Sequence, residues 1–251
     1  MSKNFELLQK LGKDRELLSP AAPTNGHNPL PPAAVAAVSG VPVKPGLEEI
    51  HSFVQQVFLV AGGAVPRSLV FTSTEPGTGC SWVTAHTAQV LAGRTAGSVC
   101  VVDANLRNPG LHAEFGIENG PGLAEGLQHP DPIRGLLRAT SLPNLFVITA
   151  GQALEDSQTL VASDRMRIRI HELRAESDFV LIDAPALSIA GDAIAAGSFS
   201  DGVVLVLKAN ASRKETARQA VLDLQAGNAK VLGAVLNQRQ YPIPEAIYKR
   251  L

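Results

Sequence analysis

The sequence is poor in the features that mark secreted, membrane-spanning or nucleic-acid-binding chains. Its 251 residues contain two cysteines, Cys80 and Cys100. Two are too few for a disulfide framework and show no metal-ligand spacing, so a reducing cytosol is the expected compartment. Lys plus Arg number 22 against 23 Asp plus Glu, a formal net charge of -1, so no overall field draws the chain to nucleic acid or an acidic membrane surface. The longest apolar runs, such as Val57–Val65, fall far short of the roughly 20 residues that cross a bilayer. The opening MSKNFELLQKLGKDRELL mixes charge into every turn and lacks the apolar stretch of a signal peptide. Membrane association would have to come from a partner or a surface helix.

Three zones divide what is present. Residues 1–18 read as a short helix in which Phe5, Leu8 and Leu11 share a face, flanked by Leu7 and Leu18. The choice there is between a loosely held tail helix and a docking helix for a partner or membrane surface. Residues 19–46 are rich in Pro, Ala and Gly, which cannot bury enough apolar surface to fold and favours an extended, disordered linker. Residues 47–251 carry the folded domain.

Within that domain, apolar runs bounded by turn residues lie at Ser68–Thr72, Val99–Asp103, Leu145–Thr149, Phe179–Asp183, Val203–Leu207 and Val231–Leu236. Helical stretches such as Ser81–Leu91, Arg165–Ala175 and Arg213–Ala226 separate them. Continuous Val/Ile/Leu runs suit strands buried on both faces. Their alternation with helices predicts an α/β fold with a mainly parallel sheet flanked by helices. Ligands bind such sheets at the carboxyl ends of the strands, so chemistry is sought there.

The first run ends in Thr72-Ser73-Thr74-Glu75-Pro76-Gly77-Thr78-Gly79-Cys80-Ser81. A strand, a glycine-rich turn and a Ser at a helix start is the setting of a Walker A phosphate loop. Glycines let successive N–H groups turn inward, and the helix N-terminus adds positive partial charge. Ser81 stands where a hydroxyl reaches magnesium. The residue before it, a lysine in a working loop, is Cys80, and the nearest basic residues in sequence are Arg67 and Arg94. Cys80 reads as a small filler, with a reactive thiolate at a helix N-terminus as the alternative. Trp82 reads as packing against the N-terminal helix. Two further runs end in carboxylates, Asp103 and Asp183. Each alone is as well explained as a cap of the following turn; beside a phosphate loop, the pair points to a metal site.

Taken together, these motifs resemble those of bacterial tyrosine kinases and their exopolysaccharide-biosynthesis relatives, within the MinD/ParA-type P-loop NTPases. Gly77, Thr78, Gly79, Cys80 and Ser81 match the family's Walker A loop except at Cys80. Asp103-Ala104-Asn105-Leu106-Arg107 match its DxDxR motif except at Asn105, and Asp183 matches its Walker B aspartate. The resemblance implies nucleotide contacts from Gly77 to Ser81, an adenine contact from Asn237, catalytic roles at Asp103, Asn105 and Asp183, and magnesium at Ser81, Asp103 and Asp183 if ATP binds. It also implies an oligomerisation helix, represented here by Glu48, His51 and Val54 with only the acidic member retained. A tyrosine-rich tail is reduced to Tyr241 and Tyr248.

Loss at four elements with the strand pattern intact fits a protein that keeps the fold and loses catalysis. The resemblance then implies a regulatory or scaffolding component of exopolysaccharide biosynthesis or export. Its expected partner is a membrane chain-length-determinant protein or an active kinase paralogue; a homo-oligomer is compatible with this, and nucleic acid is not expected. Two alternatives stay open. One is an active kinase or ATPase whose missing charge comes from Lys208 or a partner subunit. The other is a MinD/ParA-like adaptor that reaches its target through the N-terminal helix and linker.

Overall fold

The computed structural model describes residues 47–59, 65–152 and 160–238. The expected N-terminal helix, the linker, Tyr241 and Tyr248 lie outside them. The strands are β1 Ser68–Ser73, β2 Val99–Asp103, β3 Arg138–Ala139, β4 Leu145–Ile148, β5 Phe179–Asp183, β6 Gly202–Lys208 and β7 Val231–Asn237. The helices are α1 Leu47–Val54, α2 Cys80–Ala92, α3 Leu111–Phe115, α4 Leu123–Gln128, α5 Asp164–Glu176, α6 Asp192–Ser198 and α7 Lys214–Ala226. All six apolar runs form strands, and the three anticipated helices form with them. The edge strand β3 and the short α3, α4 and α6 add to that expectation.

The sheet order is β3-β4-β2-β5-β1-β6-β7, parallel throughout except where β3 pairs antiparallel to β4. Alternate residues of β1 serve the two layers. Leu69 and Phe71 face the cluster built by α1 and α2, with Ile50, Phe53, Val83 and Leu91. Val70 faces the opposite cluster, which holds Met166 and Ile170 of α5 and Leu224 of α7. The chain leaves β1 and returns two places away at β2, and β5 later fills the gap between them. That reversal brings the carboxyl ends of β1, β5 and β2 side by side, where open α/β sheets bind ligands.

Helix α1 belongs to the core. Phe53 stands edge-on to Phe71 at 6.1 Å, and Phe58, in the π-helical turn that continues α1, stands edge-on to Phe179 at 5.7 Å. Val54 is fully buried, so the third position of the stretch aligned with the oligomerisation helix, where no basic residue stands, is used in this chain's own core. At the amino end of the sheet, Asp201 accepts the N–H groups of Arg67 and Ser68 at 2.8 and 2.9 Å and a guanidinium N–H of Arg174 at 2.9 Å. The Arg67 side chain donates to the carbonyls of Arg174, Ser177 and Asp178. It is committed at the end of the sheet opposite the glycine-rich loop.

Val54→Arg would put an unpaired charge into the α1–sheet contact. It should cost about 2–4 kcal/mol in urea denaturation. Wild-type stability in this variant would contradict the buried placement of Val54.

Candidate functional site

The turn after β1 has the backbone of an anion cradle. Gly77 and Gly79 sit at φ +78° and +80°, in the left-handed region that glycine enters at little cost. Gly79 precedes the first turn of α2, and its carbonyl accepts the N–H of Val83 at 3.0 Å. A side chain at Gly79 would collide with the Asn237 amide, so the end of β7 packs directly on the loop. Thr74 and Thr78 are buried, and neither hydroxyl has a protein partner.

Strand pairing places the two carboxylates opposite each other, with Asp103 of β2 in register with Asp183 of β5. Their surroundings differ. Asp103 accepts the Asn105 N–H on one oxygen at 3.1 Å and those of Gly110 and Leu111 on the other, each at 3.0 Å. It therefore holds the turn into α3, as the capping alternative expected. Burial pushes its carboxyl up to about 6, opposed by those three N–H donors. Asp183 is 1% exposed, and neither of its oxygens has a donor in hydrogen-bonding geometry. Burial and then the Asp103 charge push its carboxyl up to about 8, and the nearby Ser81, Cys80 and Thr84 side chains offset only part of this.

Cys80 completes the group. The residue is partly exposed, but its thiol is buried beside Asp183. Burial first, and then the Asp183 charge, raise its pKa well above the ordinary thiol range. The thiolate alternative is thereby corrected: a helix N-terminus favours an anion, but desolvation and two carboxylates oppose it more strongly. The Ser81 hydroxyl lies against Gly110, where an added Cβ would come within 2.9 Å of it. Asn105 is turned toward its own loop, its side-chain oxygen accepting the Asn108 N–H at 3.3 Å. The Asn237 amide donates to the Thr78 carbonyl at 2.8 Å. Trp82 stacks on His86, one turn along α2, at 4.1 Å; the helix expected to cover it lies outside the described residues.

The fold thus brings Ser81, Asp103, Asp183 and Cys80 together, with Asn237 on the outer side of the loop. Lys208 ends β6 in register with Asn237 and is exposed. The described residues hold no cluster of three His, Cys, Asp or Glu side chains able to bind a metal unaided. Magnesium needs only one or two carboxylates when phosphates and water complete its shell, and the partnerless oxygens of Asp183 beside the Ser81 hydroxyl suit that role.

No family model matches the chain. It is 32% identical over 174 residues to the tyrosine-protein kinase YwqD of Bacillus subtilis, an overlap of 69% of this chain and 73% of that protein. Over 172 residues it is 30% identical to the putative tyrosine-protein kinase CapB of Staphylococcus aureus, covering 68% and 75%. The chain belongs to the bacterial tyrosine-protein kinase family. Its fold matches the chimerical protein CapA2B2 with TM-score 0.72 and 27% identity over 79% of this chain and 87% of the other. The MinD protein of Pyrococcus horikoshii, solved with Mg-ADP, shares the fold at TM-score 0.58 and 24% identity, covering 73% and 76%. The sheet is therefore of the MinD/ParA P-loop type. No helix among the described residues is long and apolar enough to cross a membrane.

Two further residues of this family member reach the loop, Ser212 and Gln238. No local pattern marks either one, because each is more than 130 residues from the loop it contacts.

Both raised carboxyls hold protons when folded at pH values where the unfolded chain has released them. Folding stability from this pair therefore falls as pH rises from about 4 toward 8. The melting temperature of ligand-free protein in EDTA should drop between pH 5 and 8.5, and Asp183→Asn should remove most of that slope. An equally steep slope in the variant would contradict the assignment.

Proposed function

We propose that this chain is a degenerate member of its family, a regulatory or scaffolding component of exopolysaccharide biosynthesis or export with impaired ATP binding. The observation that carries the reading is the buried Cys80 thiol against Asp183, at the position where the family resemblance requires lysine. A lysine there would neutralise both the carboxylate pair and the β- and γ-phosphates of a bound nucleotide. Without it, one charge-assisted contact is lost, a cost of about 1.5–3 kcal/mol or roughly ten- to a hundredfold in affinity. Transfer chemistry loses more, since the same charge meets the transition state.

On this reading the loop from Gly77 to Ser81 still cradles phosphate weakly, and Asn237 borders the nucleotide. Ser81, Asp183 and Asp103 hold magnesium when ATP is present. Asn105 in place of a second aspartate removes one negative charge from the catalytic motif. The protein is placed in the cytoplasm, reaching the inner face of the membrane through its partner. That partner is a chain-length-determinant protein or an active kinase paralogue.

A second reading, an active kinase or ATPase, is favoured by the intact glycine cradle, by Asp183, and by Lys208 at the same end of the sheet. Calorimetric titration with Mg-ATP separates the two. Cys80→Lys should bind about ten- to a hundredfold more tightly than wild type, and ATP turnover should need Asn105→Asp as well. Wild-type affinity equal to that of Cys80→Lys, with turnover lost in Asp183→Ala, would establish the active reading instead.

A further inference from the structure

We propose that Ser212, Asn237 and Gln238 form an outer bracket for the glycine-rich loop, with Gln238 a positioning residue that keeps the loop's N–H groups turned inward when no ligand is bound. The proposal rests on the reading of this loop as a phosphate cradle.

The Gln238 side-chain amide donates to the Gly77 carbonyl at 3.0 Å, and the Asn237 amide to the Thr78 carbonyl at 2.8 Å. In a planar trans peptide unit, the C=O of one residue and the N–H of the next point in opposite directions. Fixing the carbonyls of Gly77 and Thr78 toward β7 therefore turns the N–H groups of Thr78 and Gly79 away from it, toward the side where an anion nest forms. Ser212 adds a third point, donating to the Glu75 carboxylate at 3.2 Å while accepting the Lys208 N–H at 3.0 Å.

The backbone is committed to this arrangement. Gln238 adopts φ +55°, a region that costs a residue other than glycine or asparagine. That conformation is retained where the chain leaves β7 and the side chain meets the loop. Asn237 is fixed from behind, its carbonyl accepting the Ala209 N–H at 2.8 Å. A lysine that grips phosphate acts on the ligand, not on the carbonyls of Gly77 and Thr78. These amides act before ligand arrives, so the bracket matters most in a chain with Cys80 at that position. The binding-competent fraction of the loop scales the apparent affinity directly.

Gln238 is exposed, so its replacement leaves the core alone, and Gln238→Met keeps the length while removing the donor. Hydrogen exchange of the nucleotide-free protein should show the amides of residues 77–80 exchanging about five- to tenfold faster in Gln238→Met, with β1 and β6 unchanged. In a Cys80→Lys background, the same change should raise the Kd for Mg-ADP about three- to tenfold. Unchanged loop exchange would overturn the bracket. Faster loop exchange with an unchanged Kd would overturn the positioning role. Failure of both Cys80→Lys proteins to bind Mg-ADP would overturn the phosphate reading itself, whereas the exchange comparison, run without nucleotide, still decides the bracket.

Discussion

Two carboxylates on paired strands, buried together with no lysine or arginine in the glycine-rich loop beside them, set the character of this site. The register of β2 against β5 fixes Asp103 opposite Asp183. Two such groups in a poorly hydrated interior cannot both ionise cheaply. A lysine, a metal ion or a proton can relieve them. Position 80 carries no lysine, and burial together with the Asp103 charge raises the Asp183 carboxyl to about 8, which favours the proton in that role. The Cys80 side chain offsets only part of that rise. Asp103 is less affected because three backbone N–H groups share its charge.

The scaffold around that pair is fully formed. The strand order that opens a crevice at β1, β5 and β2 is intact. Both cradle glycines keep their left-handed backbone, and the aromatic contacts that seat α1 on the sheet are in place. Fold and phosphate grip are separable because they rest on different physics. The fold depends on apolar strands buried on two faces, against which the small Cys80 at the start of α2 packs without disruption. The grip depends on one localised charge.

Much of this was legible in the sequence because it is written in local pattern. Uninterrupted Val/Ile/Leu runs marked every strand except β3, whose two residues carry no pattern and are held by β4 alone. The long helices showed themselves by length between strands. The short α3 and α4 did not, since distant or irregular contacts define them. Asp103 caps the first of these, and the second follows Gly122, whose N–H is held by Glu125. The glycine loop and the strand-end carboxylates were readable by position. That Asp103 both caps a turn and faces Asp183 was not, because sequence offered those roles as alternatives. Val54 stood where the oligomerisation motif has a basic residue, whereas its burial depends on Phe53 and the sheet beneath. The amides of Asn237 and Gln238 reach the loop across about 160 residues, a proximity that the pairing of β1 with β6 and of β6 with β7 creates.

The most direct measurement is a carboxyl-carbon NMR titration of Asp183 in wild-type protein and in Cys80→Lys, both free of metal and nucleotide. Wild-type Asp183 should titrate near 8. In Cys80→Lys, the ammonium group beside it should bring the midpoint below about 6, the effect of an opposite charge at close range. An identical midpoint in the two proteins would contradict the dependence of the carboxylate pair on the residue at position 80.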